Sequence, residues 1–409
     1  MKKRLVLVIG LVIICSASLI ANGLSLNSIG TRALGMGGAF VGLANDPTAI
    51  YWNPAGLSGQ QAQIYGAITD IKLYGSYKYD PAGVDVENER KDNITPNLFM
   101  TYPMDKLTFG FGVFAPSGLG VEWPGKDLAA FAGGNPDIKW KSQIFAISIS
   151  PGVAYQVTDK LSLGFAGIMS YGSFNLDRPY VHTDTTGSTG FQYEESSTGT
   201  GFGVEGGMMY KMSDMFQFGA SIRSKVNLTL SGEAKNPALA AYGAEKSNFD
   251  RDVALPLWAA FGIAVNPCEK LTITADAQYS QWAESEDKFI TEFDNAAWPD
   301  SSEMILEWED CTQIRFGAEY MVNPAFTARA GYYYDPAPAP DKTVNILFPS
   351  ATYNAITGGM SYSKANYKID FGLEYLMGEE RDVDPAEHNM PGKHSLDIFA
   401  FSVGMGYNF

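Results

Sequence analysis

The sequence predicts an all-β membrane protein, a 14-stranded antiparallel transmembrane β-barrel with an N-terminal hatch (plug) of short helices. Three observations carry that prediction. The chain opens on an export signal, yet no later segment approaches the roughly 18 apolar residues that a spanning helix needs. From about Gln63 onward, alternating segments are joined by short and long connections in turn. The last segment, "SLDIFAFSVGMGYNF", puts Phe399, Phe401, Val403, Met405, Tyr407 and Phe409 on one face, and Ala400, Ser402, Gly404, Gly406 and Asn408 on the other. Lipid suits the bulky face, and something else must fill the space over the small one.

The leader is "MKKRLVLVIGLVIICSASLIANG". Lys2, Lys3 and Arg4 form a basic start, Leu5 to Cys15 a short apolar core, and small residues follow. This reads as a signal peptide over residues 1–21, cleaved after Ala21 or, as the next choice, after Gly23. Ile14 is too bulky for Cys15 to serve as a lipoprotein cysteine. Residues 22–61 are rich in Gly and small side chains, with two Pro-containing turns around Tyr51 and Trp52. They are too apolar for a linker and enter the first strand directly, so a hatch folded inside the barrel fits better.

The barrel domain is expected over residues 62–409. Its strands read as 62–79, 93–104, 106–115, 143–157, 160–183, 198–212, 215–231, 253–266, 270–283, 311–323, 325–334, 353–364, 366–378 and 395–409. Short turns such as "PMDK", "VTDK" and "NPCEK" carry the Asp, Asn and Pro of tight connections. The long connections, 80–91, 116–142, 184–197, 232–252, 284–310, 335–352 and 379–393, are polar and acidic. An even strand number with short turns on one side describes a barrel of the Gram-negative cell outer membrane, both termini of the barrel domain being periplasmic. A terminal aromatic at Phe409 is also what outer-membrane assembly reads in such barrels.

Composition narrows the function. Charged residues are 18% of the chain, against about 25% in soluble domains. Losing the three leader cations takes the net charge from −16 to about −19, which argues against a nucleic-acid partner. Cys268 and Cys311 fall at opposite ends of the barrel, so no disulfide is expected. His182, His388 and His394 lie near loops or strand ends with no Ser or Cys motif beside them, so neither an enzyme nor a cofactor is expected. The acidic loops "EDKFITEFD" and "EERDVDPAE" read as solvated surface, with divalent-cation binding the weaker option and no metal site assigned.

The stretch "SLNSIGTRALGMGGAFVGLANDPTAIYWNPAGL" resembles the N-terminal hatch of the FadL/TodX (OmpP1) family of outer-membrane transporters of hydrophobic compounds. "FAPSGLGVEWPG", "IRSKVNLTLSGEA", "LPLWAAFGIAVNP" and "ARAGYYYDPAPAP" follow in the family's order, so the resemblance covers essentially the whole mature chain. It implies passive uptake of hydrophobic small molecules, most of all long-chain fatty acids. These would enter through a loop groove, pass a lumen site beside the hatch and exit sideways into outer-membrane lipid at a kinked strand. "VFAPSGLG" around Pro116 is the expected kink. A monomer is expected, since hatch and exit operate within one barrel.

Parity sends Arg178, Arg223, Lys225, Arg315, Arg329 and Lys368 into the lumen, with Glu205, Asp276, Glu319, Asp370 and Glu374. Arg178, Arg223 and Arg329 are the candidates for a fatty-acid carboxylate; ion pairs bracing the barrel are the alternative role. Leu24 and Leu26 would line the inner site. Leu119, Val121, Trp123, Leu128, Phe131 and Trp140 form an apolar set in a loop that should be exposed, hence either a binding groove or a loop core. Competing readings are uptake of monoaromatic hydrocarbons such as toluene, a surface interaction or adhesin barrel, a lipid-acting enzyme and an open porin. The hatch disfavours the last.

Overall fold

A strand that alternates large apolar with small or polar residues has one face for lipid and one for the lumen, and its backbone groups must all find neighbours. Closing the sheet on itself achieves that. The computed structural model describes residues 23–185, 187–385 and 390–409, and only the backbone of Leu119; the expected leader, 1–21, and His388 lie outside the described residues. The fourteen wall strands are Gln63–Tyr79, Asn93–Met104, Leu107–Trp123, Trp140–Gln156, Leu161–Asp184, Gly187–Lys211, then Phe216–Arg223 continued by Val226–Lys235. Next come Lys246–Leu255 continued by Trp258–Cys268, Leu271–Ser280, Cys311–Asn323, Phe326–Asp335, Tyr353–Lys364, Tyr367–Gly378 and Gly392–Asn408. Each pairs antiparallel with its neighbours, and the fourteenth closes on the first from Gln63↔Asn408 to Lys78↔Lys393.

The outward face is the apolar one, with Phe165, Phe202, Ile222, Phe261, Phe316, Phe371, Phe401 and Met405 all exposed. Tyr407 packs on Tyr367 and Phe409 at the short-turn rim. No helix among the described residues is long and apolar enough to cross a membrane. The lumen holds residues 23–60, which carry two short helices, Thr31–Gly35 and Ala49–Trp52.

Several strands outrun their sequence-based limits. The third reaches Trp123 instead of ending at 115, and the fifth and sixth form one hairpin of 24 and 25 residues, absorbing most of the expected loop 184–197. The ladder simply continues above the lipid band, where outward residues turn polar and the apolar signal fades. The seventh and eighth strands break at the same height, at 224–225 and 256–257. Sidedness flips there. Ile222 faces lipid, whereas Val226, Leu228 and Leu230 are buried inside. Water replaces lipid outside this upper part, so the apolar face turns inward. Lys225 is therefore exposed, not luminal, and donates to the Glu284 carbonyl.

Candidate functional site

The hatch is held by close backbone approach and by buried ion pairs. Lumen-facing glycines of neighbouring strands meet it in turn, among them Gly164, Gly207, Gly219, Gly262, Gly317, Gly331, Gly359 and Gly372. A Cβ on Gly262 would lie 2.4 Å from the Gly42 nitrogen, and one on Gly164 only 2.2 Å from the Ala55 nitrogen, so no larger residue fits. Arg32 donates two hydrogen bonds to Glu319, both 2.8 Å. Glu319 also accepts from Arg329 (2.6 Å), which reaches Asp370 at 3.3 Å. Asp276 accepts from the Val41 amide at 2.8 Å.

The first described residues of the hatch do something different: they complete the wall. Pairing between the second and third strands stops at Leu98↔Val113, although Asn93 to Asn97 still pair with the first strand. The third strand carries an irregularity between Phe114 and Ser117, around Pro116, which has no N–H to give. Its inner hydrogen bonds go to the hatch instead. Leu26 donates to the Pro116 carbonyl at 3.0 Å and Gly118 to the Leu24 carbonyl at 2.9 Å, and the Ser117 hydroxyl also donates to Leu24. One seam of the wall thus lacks backbone pairing between second and third strands, the Ala115 amide reaching only the Asn97 side chain, and is backed by the hatch end. Farther out it is bridged by the Glu89 amide to the Glu122 carbonyl (2.7 Å) and by the Lys91–Glu122 ion pair.

A lumen pocket adjoins this seam. Its lining includes Leu26, Tyr51, Trp52, Phe114, Pro116, Ile168, Val226, Leu255 and Trp258, with Ser148, Ser170, Gln278, Gln313, Arg223 and Arg315 as polar members. The cavity measures about 40 Å³, room for a few waters but not for an organic ligand without rearrangement. Arg223 pairs with buried Glu205 at 2.8 Å, donates to the Tyr51 carbonyl and lies between the rings of Tyr51 and Trp258, at 4.3 and 4.9 Å. Arg315 is different. It is buried, donates to Gly37 O (2.8 Å), Gln313 and Asn27, and lies 4.3 Å from the Tyr333 ring. Its donors go to neutral acceptors, and the carboxylates of Asp276 and Glu374 act on it only through their charge.

Of the sequence candidates, Leu26 and Arg223 line this pocket; Leu24 is buried beside it on the third strand. Arg329 is held away in the Glu319–Asp370 network that braces the hatch. Arg178 stands higher, in a cavity of about 520 Å³ in the barrel mouth, over the Tyr193 ring at 4.4 Å. The apolar loop set is covered, not an open groove. Val121, Trp123, Leu128 and Trp140 are buried, and the Trp123 Nε1 donates to the Ile346 carbonyl at 2.8 Å. Phe131 is half-buried against Tyr77 and Tyr79, and the Leu119 side chain lies outside the described residues. The loop 335–352 folds over them, a long-range packing that composition does not display. Sequence reasoning passed over Arg315 as a pocket member, although parity had placed it inside. It missed Arg251 in the mouth because that residue fell in an expected loop.

The family model for "Outer membrane protein transport protein (OMPP1/FadL/TodX)" matches residues 12–409. The chain is 21% identical to a "Long-chain fatty acid transport protein" of Escherichia coli O6:H1, over 95% of this chain and 94% of that protein. It is 23% identical to "Outer membrane protein P1" of Haemophilus influenzae, over 70% of this chain and 66% of that one, just under two thirds of its length. Among solved structures, a Pseudomonas aeruginosa FadL homologue superposes with a TM-score of 0.78 at 16% identity, over 95% and 100% of the two chains. The Pseudomonas putida toluene transporter TodX does so with 0.75 at 20%, over 94% and 99%.

Proposed function

Because the chain belongs to the OMPP1/FadL/TodX family of outer membrane transport proteins, we propose that it carries hydrophobic compounds through the outer membrane by passive diffusion, with long-chain fatty acids as the preferred cargo. The observation that supports this is the shared position of pocket, hatch end and seam. A compound in the lumen pocket touches Leu26 of the hatch and Pro116 of the third strand at once. Withdrawal of Leu24–Leu26 would remove the hydrogen bonds that back the seam and connect the pocket to lipid. The cargo then never crosses water, and the apolar transfer cost of roughly 25 cal/mol per Å² is avoided.

Arg315 favours an acid as cargo. A buried guanidinium whose hydrogen bonds go to neutral acceptors, with Asp276 and Glu374 acting only through their charge, gains charge-assisted hydrogen bonds when a carboxylate arrives, and the Asn27 contact it would release belongs to the hatch. Uptake of monoaromatic hydrocarbons is the second reading. The small cavity and its rings Tyr51, Trp52, Phe114 and Trp258 favour it. Removal of residues 1–21 as a leader and a monomeric state belong to the same proposal.

Equilibrium binding of oleate and of toluene to the purified, detergent-folded barrel tests the choice. Saturable oleate binding that Arg315→Gln weakens by tenfold or more, about 1.4 kcal/mol, supports the acid. Toluene binding indifferent to Arg315→Gln supports neutral hydrocarbons, and binding of neither would end the lumen-site reading.

A further inference from the structure

The lumen pocket and the mouth cavity share strands but do not meet. Along the fifth strand, Ile168 and Ser170 line the lumen pocket, Gly172 and Phe174 follow, and Leu176 and Arg178 line the mouth. Along the eighth, Leu255 lines the pocket, Val253 follows and Arg251 lines the mouth. Between the two levels stand three phenylalanines from three different elements. Phe174 belongs to the wall, Phe289 to the short loop strand Lys288–Phe293 and Phe348 to the loop 335–352. Their ring centroids lie 5.8, 5.9 and 5.7 Å apart pairwise, and each ring is at most 2% exposed. Arg251 covers them from the mouth side, 4.7 Å from the Phe174 ring and 5.9 Å from Phe289, while its donors go to Glu195 and Thr291.

We propose that Phe174, Phe289 and Phe348 form the selecting gate between the mouth and the lumen pocket, and that it admits molecules with an apolar body while refusing hydrated ions. The proposal rests on the transport reading. A dry ring of apolar side chains resists ions by dewetting, yet an alkyl chain or an arene replaces one apolar contact with another. The gate is built to part without harming the wall. Phe348 sits in a loop outside the barrel ladder, and Phe289 on a strand of six residues that pairs with the eighth wall strand only from Thr291 to Phe293, Phe289 itself facing Met304 of the loop strand Ser301–Ile305. Only Phe174 is fixed by barrel hydrogen bonds, through its pairing with Ile144 and Ser197. Beside Phe348 the 335–352 loop is held by Ile346 O to Trp123 and Leu347 O to Ser142, whereas its ion pairs, Asp341–Arg381 and Lys342–Glu307, lie farther along the loop and need not break for the Phe348 ring to turn aside.

The test is the initial rate of labelled oleate uptake into cells bearing the full-length barrel, for wild type, Phe289→Ala, Phe348→Ala and Phe348→Trp. Folding is checked by heat-modifiable mobility, and oleate binding is measured in detergent on the same variants. The gate predicts uptake several-fold faster for both alanine variants and several-fold slower for Phe348→Trp, with unchanged binding affinity in the lumen pocket. Equal uptake rates in wild type and all folded variants would overturn the gate and leave transport standing. No uptake by the wild type above empty cells would overturn the transport reading and the gate with it.

Discussion

Two buried arginines differ in how their charge is met, and the difference predicts their substitution behaviour. Arg251 has a full partner, since Glu195 and Thr291 take its donors and Tyr193 donates to the same carboxylate at 2.8 Å. Arg251→Ala would leave the Glu195 charge buried and alone, at a cost of about 3–5 kcal/mol. Arg251→Met combined with Glu195→Gln should restore most of it. Urea-dependent protease nicking of residues 232–252 and 286–310 in the folded barrel checks both; equal resistance of Arg251→Ala and wild type would contradict the pair's role. Arg315 gives its hydrogen bonds to Gly37, Gln313 and Asn27 rather than to a carboxylate, which is why its substitution is read in ligand affinity. Alternation along strands placed Arg223, Arg315, Arg329, Glu205, Asp276, Glu319, Asp370 and Glu374 inside from sequence, because parity depends only on neighbours in the chain. Which cation is already neutralised was not legible. The Glu319 partner of Arg32 and the Asn27 partner of Arg315 come from segments nearly three hundred residues away.

At the level of the elements, the hatch and the wall are fitted backbone to backbone. Gly164→Val should force Pro54 and Ala55 off the wall, and loosened packing would open an aqueous path past the hatch. Conductance of single barrels in planar bilayers is expected to rise clearly above wild type; a folded variant with unchanged conductance would contradict a plug seated on these glycines. The glycine count was visible in the sequence, but its pairing with the hatch was not, because each contact joins distant residues. The strand break behaves likewise. Pro116 marked the third strand as irregular beforehand, since a residue without an N–H cannot serve a ladder on both sides. The sequence did not reveal that Leu24 and Leu26 take up the hydrogen bonds at that break. The flip at 224–225 was also hidden. The string from Phe216 to Leu230 keeps its apolar residues at even positions on both sides of Ser224, and the change from lipid to water outside the wall turns its face over.

For the whole molecule, barrel class and strand number follow from patterns repeated many times over, so single errors at strand ends do not alter them. The mouth follows from long loops packing on the tops of the wall strands and was read only as polar connections. The described residues form a closed wall with a seam at the third strand, a hatch end that backs the seam, and a pocket that touches both. The central claim is that cargo leaves through that seam, and stapling it is the most direct test. Asn97 of the second strand accepts a hydrogen bond from the Ala115 amide of the third at 3.4 Å, which places the two residues across the seam from one another, and Asn97→Cys with Ala115→Cys is the staple, its closure checked by loss of free thiols. With Cys268→Ser and Cys311→Ser as background, labelled oleate uptake is measured before and after reduction. The account predicts that the oxidised staple blocks uptake and that reduction restores it; equal uptake by the oxidised and reduced forms would contradict a sideways exit at the third strand.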